Sequence, residues 1–282
     1  MLISIFTPTF NRLETLKRLY HTLLIQKEYD FEWIIIDDGS SDGTKEYIEN
    51  IKTDAPFEII YKYQENKGKY ISTNRALDYA KGELFFNVDS DDFLIDDAIT
   101  IIKNNFKKYN QSMVLLDKDH NDEIIGVQLP EGNFNWIELR YKEKCYGDKS
   151  YIFKTKILRE IYFPESNEKH MPPTYQYIIY GDIEKFRCIN IPIKVVEYLD
   201  DGITFNIRNK LIESPKNYLI YRELLHKYLP SYKEKSKNII LYNISYLARK
   251  KLVKPISKNL IDVALSYILL PISYIYYIYI KK

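Results

Sequence analysis

Three carboxylates fall within four residues, Asp89-Ser90-Asp91-Asp92, directly after the apolar segment 83–88. That segment is typical of a buried strand. In an open α/β fold, ligands bind at the edge formed by the carboxyl ends of parallel strands. Carboxylate oxygens at such an edge suit Mg²⁺ or Mn²⁺ held against a diphosphate. A solvated acidic turn that caps the next helix is the alternative interpretation of the same four residues.

Strand-like and helix-like segments alternate through the first half of the chain. Strand patterns cover residues 2–7, 32–36, 58–63 and 84–88. Helical spacing covers 13–24 and 70–80, and a further helix is predicted to start within 37–44. This βαβαβαβ order predicts a parallel, doubly wound sheet with its loops gathered at one edge. Further along the chain the patterns predict helices at 98–106 and 136–141, an aromatic helix after Pro173, and strands at 113–116, 124–129 and 194–198.

Charge and cysteine content narrow the possible partners. The formal net charge is +2 over 282 residues, and no basic stripe with interleaved aromatic residues is present, so no nucleic-acid partner is expected. Cys145 and Cys188 form no CxxC pair and follow no signal-peptide pattern. A reduced, cytoplasmic setting is therefore expected.

Polar residues follow the other predicted strands of this half as well. Pro8 fixes the turn at 7–12, and the helix that opens there offers backbone N–H groups to an anion. The segment 37–44 places two carboxylates at a strand end, where they could accept hydrogen bonds from a base or a sugar. In the segment 66–69, Gly68 permits close backbone approach and Lys69 can neutralise phosphate. Helix caps and a charged surface loop are the alternatives for these segments.

Taken together, these segments resemble the family 2 glycosyltransferases with the GT-A fold. The shared motifs are Thr-Pro-Thr-Phe-Asn-Arg at 7–12, Ile-Asp-Asp-Gly-Ser-Ser-Asp-Gly-Thr at 36–44, Asn-Lys-Gly-Lys at 66–69 with Asn-Arg-Ala-Leu at 74–77, Ala-Lys-Gly-Glu at 80–83, and Val-Asp-Ser-Asp-Asp at 88–92. The match is dense over residues 1 to about 100. It extends more weakly through 195–204, which is similar to a bacterial subgroup associated with cell-surface polysaccharide synthesis.

The resemblance implies an α/β fold of the GT-A type: a Rossmann-like, mostly parallel central sheet flanked by helices, with a C-terminal helical apolar tail. It implies that Asp38 recognises uracil, that Lys69 lies near the base or diphosphate, that Asp89 holds the ribose or a metal-linked water, and that Asp91 ligates Mg²⁺ or Mn²⁺. The remaining residues expected to bind the nucleotide sugar are Thr7, Pro8, Asn11, Arg12, Asn74 and Ser90.

Members of the family generally invert, and inversion needs a general base that accepts the proton of the acceptor hydroxyl. Similar proteins carry a carboxylate at the start of the helix after the acceptor loop, but here Pro173 takes that position. Glu168 in the same loop is the preferred candidate base, with Glu165 and His170 as alternatives. An altered register and impaired catalysis also remain open.

The polar stretch 231–238 is expected to separate two regions. Residues 1–230 form the predicted glycosyltransferase domain, with 1–110 as the nucleotide-sugar half and 111–230 as the acceptor half. Residues 231–282 form a helical tail in which 263–280 carries no charge and is flanked by lysines. Crossing a bilayer takes about 20 apolar residues, so an interfacial or re-entrant anchor is favoured over a span, and a helix packed on the domain is the alternative.

The expected activity is therefore metal-dependent transfer from a UDP-sugar to a saccharide acceptor carried on a polyprenyl lipid, by an enzyme peripheral to the cytoplasmic membrane face. A nucleotidyltransferase is an alternative, but it would normally show a glycine-rich basic loop after the first strand, and residues 7–12 contain no glycine. A non-catalytic nucleotide-sugar-binding partner of another transferase is the third possibility, which Pro173 makes plausible.

Overall fold

The computed structural model describes residues 3–197 and 207–281. These residues form two compact units: residues 3–163 and 176–197 make up the first unit, and residues 164–175 and 207–281 the second. Residue 230, the predicted boundary between the glycosyltransferase domain and the tail, lies within the second unit, and that division stays a prediction.

The first unit is built on a central sheet. Its strands are β1 (Ile3–Thr9), β2 (Phe31–Asp37), β3 (Glu58–Tyr63), β4 (Leu84–Asn87), β5 (Phe93–Leu94), β6 (Met113–Lys118), β7 (Asn133–Phe134), β8 (Lys149–Lys154) and β9 (Phe186–Val195). They lie in the order β3-β2-β1-β4-β8-β6-β9-β5, with β7 paired to β9. The pairings from β3 to β4 are all parallel, whereas β8 is antiparallel to both β4 and β6. The predicted parallel sheet therefore describes the first four strands, and the remaining pairings are mixed.

Helices cover both faces of this sheet. They are α1 (Leu13–Leu24), α2 (Thr44–Ile51), α3 (Lys69–Tyr79), α4 (Ala98–Tyr109), α5 (Thr155–Leu158) and α6 (Thr174–Ile183), with a π-helical turn at Glu138–Lys142. Successive residues of β2 pack into two different hydrophobic cores. Trp33 and Ile35 pack into the core that includes α1 and α4, and Ile34 packs into the core that includes α3. Every residue of β2 is buried, as expected for a parallel strand covered on both faces. The predicted α/β architecture is thus confirmed.

Two features of the second half differ from the sequence prediction. Residues 124–129 do not form a strand, because Ile124 makes only an isolated bridge to Lys118 and the chain then bends away. Strand β8, which lies between β4 and β6 in the sheet, has no counterpart among the predicted strands. Tyr198, the predicted end of the last strand, and most of the 195–204 motif lie outside the described residues.

The second unit is helical. It contains α7 (Ile207–Glu213), α8 (Pro215–Tyr228), α9 (Tyr232–Ala248), α10 (Leu260–Ile268) and α11 (Leu270–Lys281). Its core is formed by residues of α8 and α9 together with Ile256. The predicted C-terminal helices are therefore present.

Candidate active site

Four strands of the first unit end at one edge of the sheet. The register pairs Thr9 with Asp37 and Asp37 with Tyr63, and β4 lies parallel to β1 on its other side. The segments that follow these strands, 10–12, 38–43, 64–68 and 88–92, therefore start from a common edge. They contain most of the residues that the sequence motifs single out.

Hydrogen bonds tie the first of these segments to the second. The backbone N–H of Asn11 donates to Ser40 Oγ at 2.9 Å, and Asn11 Oδ1 accepts from the backbone N–H of Ser41 at 2.8 Å. Asn11 has φ 50°, a left-handed conformation that Asn tolerates better than most residues. Asp42 Oδ2 accepts from the backbone N–H of Leu13 at 2.9 Å. Asn11 thus positions both segments.

The other predicted residues of the 7–12 motif differ in exposure. Thr7 is fully buried, and its Oγ1 accepts from Trp33 Nε1 at 2.9 Å. Pro8 is half-buried near the end of β1. Arg12 is the N-cap residue of α1, and its positive charge favours ionisation of Asp91. Arg12 is therefore placed to act on an anion at the carboxyl edge, whereas the Thr7 side chain is part of the sheet interior.

Asp38 connects the second segment to the third. Its Oδ1 accepts from Gln64 Nε2 at 2.7 Å and from the backbone N–H of Lys67 at 2.8 Å, and its Oδ2 accepts from the backbone N–H of Gly68 at 2.8 Å. Gly68 has φ 95°, which only glycine adopts easily. The Asp38 carboxylate therefore shapes the loop that precedes α3.

Lys69 connects the third segment to the fourth. Its Nζ lies 2.6 Å from both carboxylate oxygens of Asp89, and Asn87 Nδ2 donates to Asp89 Oδ1 at 3.0 Å. Burial opposes ionisation of Asp89, but Lys69 and then Lys194 outweigh it and hold the pKa of Asp89 at about 2. Asp89 is consequently an ionised carboxylate at neutral pH.

Asp91 lies on a tight turn behind Asp89. The turn is closed by a hydrogen bond of 3.1 Å from the backbone N–H of Asp92 to the carbonyl of Asp89, and Ser90 within it is buried. Asp91 is half-buried, and burial together with the nearby charge of Asp89 raises its pKa. A cation bound at this turn would relieve both effects.

The residues present fit a divalent cation of the kind predicted. Over residues 3–197 and 207–281, no group of three or more His, Cys, Asp or Glu side chains is arranged to enclose a metal. Mg²⁺ is commonly bound by only one or two carboxylates together with substrate phosphates and water. Asp91 can supply one such carboxylate directly, and Asp89, whose two oxygens both contact Lys69 Nζ, can take part directly or through a bound water. The rest of the coordination shell is left to a diphosphate and water.

Sequence reasoning missed a buried ion cluster beside this turn. Lys194 Nζ lies 2.6 Å from Asp92 Oδ2 and 3.6 Å from Asp117 Oδ2. Burial raises the pKa of Asp92, and the charge of Lys194 opposes that effect. The available signal was a lysine within the apolar run Ile-Pro-Ile-Lys-Val-Val at 191–196.

Asn74, predicted to bind the nucleotide sugar, makes structural contacts instead. Its Nδ2 donates to the carbonyl of Phe163 at 2.9 Å, and its Oδ1 accepts from the backbone N–H of Phe163 at 2.8 Å. Asn74 is also buried. These contacts use both ends of the amide and give no support to nucleotide binding, which stays a prediction.

The candidate bases Glu168 and His170 belong to the second unit. Glu168 Oε1 accepts from the backbone N–H of Lys216 at 3.0 Å, and Oε2 accepts from that of Asn217 at 2.8 Å, so the carboxylate caps the start of α8. Burial, followed by the charge of Lys210, lowers the pKa of His170 to about 4. Pro173 directly precedes α6, as the predicted register requires. The assignment of Glu168 as the base stays a prediction.

Several bacterial glycosyltransferases are similar to this chain. A GalNAc(5)-diNAcBac-PP-undecaprenol beta-1,3-glucosyltransferase of Campylobacter jejuni is 34% identical over 177 residues, which is 58% of this chain and 55% of the relative. A putative teichuronic acid biosynthesis glycosyltransferase of Bacillus subtilis is 35% identical over 92 residues, covering 32% and 36%. Chondroitin synthase of Pasteurella multocida is 24% identical over 192 residues, covering 67% and 20%. The chain thus spans less than two thirds of the length of each of these relatives.

Solved structures share the fold. S. aureus TarS in complex with UDP-GlcNAc superposes with a TM-score of 0.60 at 17% identity, covering 98% of this chain and 92% of the other. A mannosyltransferase from Pyrobaculum calidifontis in complex with GDP-Man and Mn²⁺ superposes with a TM-score of 0.57 at 15% identity, covering 99% and 84%. The family model of glycosyl transferase family 2 matches residues 4–165, more than half of the chain. The residues it matches include all four segments at the carboxyl edge, and the chain belongs to glycosyl transferase family 2.

Proposed function

We propose that this glycosyltransferase moves a sugar from a UDP-sugar, with Mg²⁺ or Mn²⁺ and with inversion, to a saccharide acceptor in cell-surface polysaccharide synthesis such as capsule formation. The observation that carries the proposal is the cluster of Lys69, Asp89 and Asp91 at the sheet edge where ligands bind in open α/β folds. The names of the relatives, which include a chondroitin synthase and a teichuronic acid glycosyltransferase, support the polysaccharide product class.

The donor would lie along the four segments. Asp38 would accept a hydrogen bond from the uracil, while Arg12 and Lys69 would neutralise the diphosphate. A metal held by Asp91 and Asp89 would supply Lewis-acid stabilisation of the departing diphosphate. The uracil assignment rests on the resemblance of the 36–44 motif, and the UDP-GlcNAc bound by S. aureus TarS agrees with it.

The acceptor would be a saccharide on a polyprenyl lipid, because one relative is named for transfer to an undecaprenol-linked saccharide. An enzyme with such an acceptor works at the cytoplasmic membrane face. No individual helix in the described parts of the chain has the length and apolar character of a membrane span, although α10 and α11, bent by 50°, meet these criteria as a pair. We propose that this pair attaches the enzyme to the membrane surface.

The α10–α11 pair buries three of its polar residues, Asp262, Ser266 and Ser273. Asp262 Oδ2 accepts from Ser257 Oγ at 2.6 Å, and Asn243 Nδ2 of α9 donates to the carbonyl of Ser266 at 2.8 Å. The pair is held to the second unit by these polar contacts and by Leu265 and Leu269, which pack against the core of that unit.

Other apolar residues of the pair are exposed. Leu260 is 84% exposed, Ile268 69% and Ile275 70%, and further isoleucines and tyrosines of the pair are also exposed. An exposed apolar surface bordered by lysines is typical of helices that lie at a membrane interface. This arrangement supports an interfacial anchor over a fully packed helix.

The donor and metal proposal is tested by comparing Asp91→Asn with Asp96→Asn, which changes an exposed carboxylate five residues further along the chain. Release of the nucleoside diphosphate, UDP or GDP, would be measured across a panel of UDP- and GDP-sugars with Mn²⁺. We expect Asp91→Asn to lower turnover by at least roughly a thousandfold, because a lost metal ligand removes several kcal/mol of leaving-group stabilisation. Parent-like turnover of Asp91→Asn at saturating Mn²⁺, or a preference for GDP-sugars, would contradict the proposal.

A non-catalytic role as a nucleotide-sugar-binding partner is the second candidate, because Pro173 stands where a base is expected and Glu168 caps a helix. The two functions are separated by testing the parent chain for hydrolysis of the UDP-sugar without acceptor. Metal-dependent hydrolysis would identify an enzyme. Binding of UDP with no metal-dependent hydrolysis or transfer would favour the non-catalytic role.

A further inference from the structure

Lys194 is a charged residue in an apolar strand. Its neighbours on β9, Ile193 and Val195, are buried, and the Lys194 side chain itself is only 10% exposed. A buried ammonium group is unfavourable unless nearby anions compensate for its lost hydration. The contacts of Lys194 must therefore supply anions that compensate for the buried positive charge.

The sheet brings two carboxylates to this ammonium group. Lys194 pairs with Asp117 in the parallel ladder of β6 and β9, and with Leu94 in the antiparallel ladder of β5 and β9. Asp92 directly precedes β5, and its side chain reaches Lys194 Nζ at 2.6 Å. Three neighbouring strands thus converge on one buried ion cluster, which consists of Asp92, Asp117 and Lys194.

Asp117 and Asp92 make different contacts with Lys194 Nζ. Asp117 is fully buried and accepts from Ser150 Oγ at 2.5 Å through Oδ1, while its Oδ2 has no hydrogen-bond partner among the described residues and faces Lys194 at 3.6 Å. Asp92 forms the shorter contact. Without the ammonium group, two buried carboxylates would be left without a counter-charge; Asp117 lies within β6, whereas Asp92 lies on the turn that precedes β5.

That turn carries the proposed metal ligands. The backbone N–H of Asp92 closes it on the carbonyl of Asp89 at 3.1 Å, so displacement of Asp92 would displace the backbone of both Asp89 and Asp91. A metal ligand must be held within a few tenths of an ångström to bind well, and outer contacts commonly provide this precision.

We propose that Lys194 is a positioning residue for divalent-metal binding, which it supports by anchoring Asp92 and hence the turn 89–92. This inference rests on the metal dependence proposed above. Lys194 would not touch the metal or the donor; it would act through Asp92, with Asp117 holding the ammonium group in place.

The experiment compares Lys194→Met with Lys103→Met in the full chain. Lys103 is a matched control because its side chain is 12% exposed and contacts two carboxylates, Glu28 and Asp30, on a different part of the first unit. Mn²⁺ binding in the presence of UDP is measured from the free Mn²⁺ signal in electron paramagnetic resonance. Thermal unfolding and UDP binding without metal are measured in parallel.

We expect Lys194→Met to weaken Mn²⁺ binding by about 10–100-fold, the usual effect of losing an outer contact to a metal ligand. UDP binding without metal should be retained, and Lys103→Met should leave Mn²⁺ binding unchanged even where it lowers thermal stability. Equal weakening in both variants, or parent-like Mn²⁺ binding by Lys194→Met, would overturn the positioning role. Failure of the parent chain itself to bind Mn²⁺ with UDP would instead contradict the proposed metal dependence.

If Lys194→Met does not fold, Asp92→Asn addresses the same question. The amide keeps the volume of the carboxylate and can still accept a hydrogen bond from Lys194, but the ionic attraction is lost. We expect Mn²⁺ binding to weaken in this variant while UDP binding is retained. Mn²⁺ affinity equal to that of the parent would overturn the proposal.

Discussion

At the scale of single residues, the Asp38 carboxylate makes hydrogen bonds that stabilise the fold and has a further acceptor position that a ligand would use. A carboxylate offers about four acceptor positions, and Gln64, Lys67 and Gly68 occupy three of them. Among the described residues, one acceptor position on Oδ2 is left, and the proposed contact with the base N–H of a nucleotide would use it. Asp38 shapes the loop before α3, and its role in donor recognition is the proposal.

We predict that Asp38→Asn lowers both stability and UDP affinity. The substitution replaces one acceptor oxygen by an NH₂ group that must face a donor, which costs about 1–3 kcal/mol for a buried hydrogen bond. Denaturant unfolding measures the first effect and calorimetric titration with UDP the second. Asp54→Asn, at an exposed carboxylate of the same unit, is the control. A destabilised Asp38→Asn with parent-like UDP affinity would limit Asp38 to the structural role.

His170 gives a prediction for the pH dependence of stability. Its pKa is lowered to about 4 by burial and then by Lys210, with Glu213 partly opposing them, whereas an unfolded histidine titrates near 6.5. Between pH 6.5 and 4 the unfolded chain binds a proton that the folded chain does not, so the contribution of neutral His170 is present above pH 6.5 and lost on acidification.

We therefore expect His170→Asn to lose less stability than the parent when the pH is lowered from 7 to 4.5. Urea unfolding at both pH values measures this difference. The same substitution at His120, a half-exposed histidine of the first unit, is the comparison. An identical pH dependence for the parent and His170→Asn would show that His170 titrates normally in the folded chain.

At the scale of elements, α8 begins with a cap supplied from elsewhere in the second unit. Its N-cap residue, Ser214, makes no side-chain cap hydrogen bond, and Glu168 instead accepts from the N–H groups of Lys216 and Asn217. A carboxylate at this end is also favoured by the helix dipole. The loop that contains Glu168 is thereby fixed to α8.

We predict that Glu168→Ala lowers the free energy of unfolding by about 0.5–2 kcal/mol, the usual cost of a lost cap. If Glu168 is also the general base, acceptor-dependent transfer should fall by roughly 10²–10⁴-fold while UDP binding is retained. Glu165→Ala, three residues away and exposed, serves as the control for the unfolding measurement. Normal transfer by a destabilised Glu168→Ala would assign this residue to the cap alone.

The elements of the first half were predictable from the sequence, but those of the second half were less so. β1 to β4 alternate with helices and pair in parallel, so apolar patterns and polar strand ends were sufficient to locate the four segments at the carboxyl edge. β8 pairs antiparallel with β4 and β6, and its six residues carry no local signal that indicates this insertion. A lysine within the apolar run 191–196 was a visible signal, but its partners Asp92 and Asp117 could not be predicted because the ion cluster depends on the register of three strands.

At the scale of the whole molecule, the chain combines a buried apolar core with an exposed apolar surface at its C-terminus. The sequence indicated an apolar tail, but it could not show that α10 and α11 bury three of their polar residues, because that depends on contacts with α9. Polar contacts with α9 and the packing of Leu265 and Leu269 hold the pair on the second unit. A lipid interface would bury the exposed apolar surface without rearranging these contacts.

We predict that the double substitution Ile268→Lys with Ile275→Lys reduces binding to vesicles that contain anionic lipid while thermal stability is retained. Both side chains are largely exposed, and each buried isoleucine contributes roughly 1.5–3 kcal/mol to partitioning out of water. High salt should weaken binding of the parent only in part, since each flanking lysine adds on the order of 1 kcal/mol at an anionic surface. Flotation measures the bound fraction, and Ile25→Lys, at an exposed isoleucine of the first unit, is the control. If the parent chain stays at the bottom of the gradient, or if the double variant floats as well as the control, α10 and α11 do not form the membrane anchor.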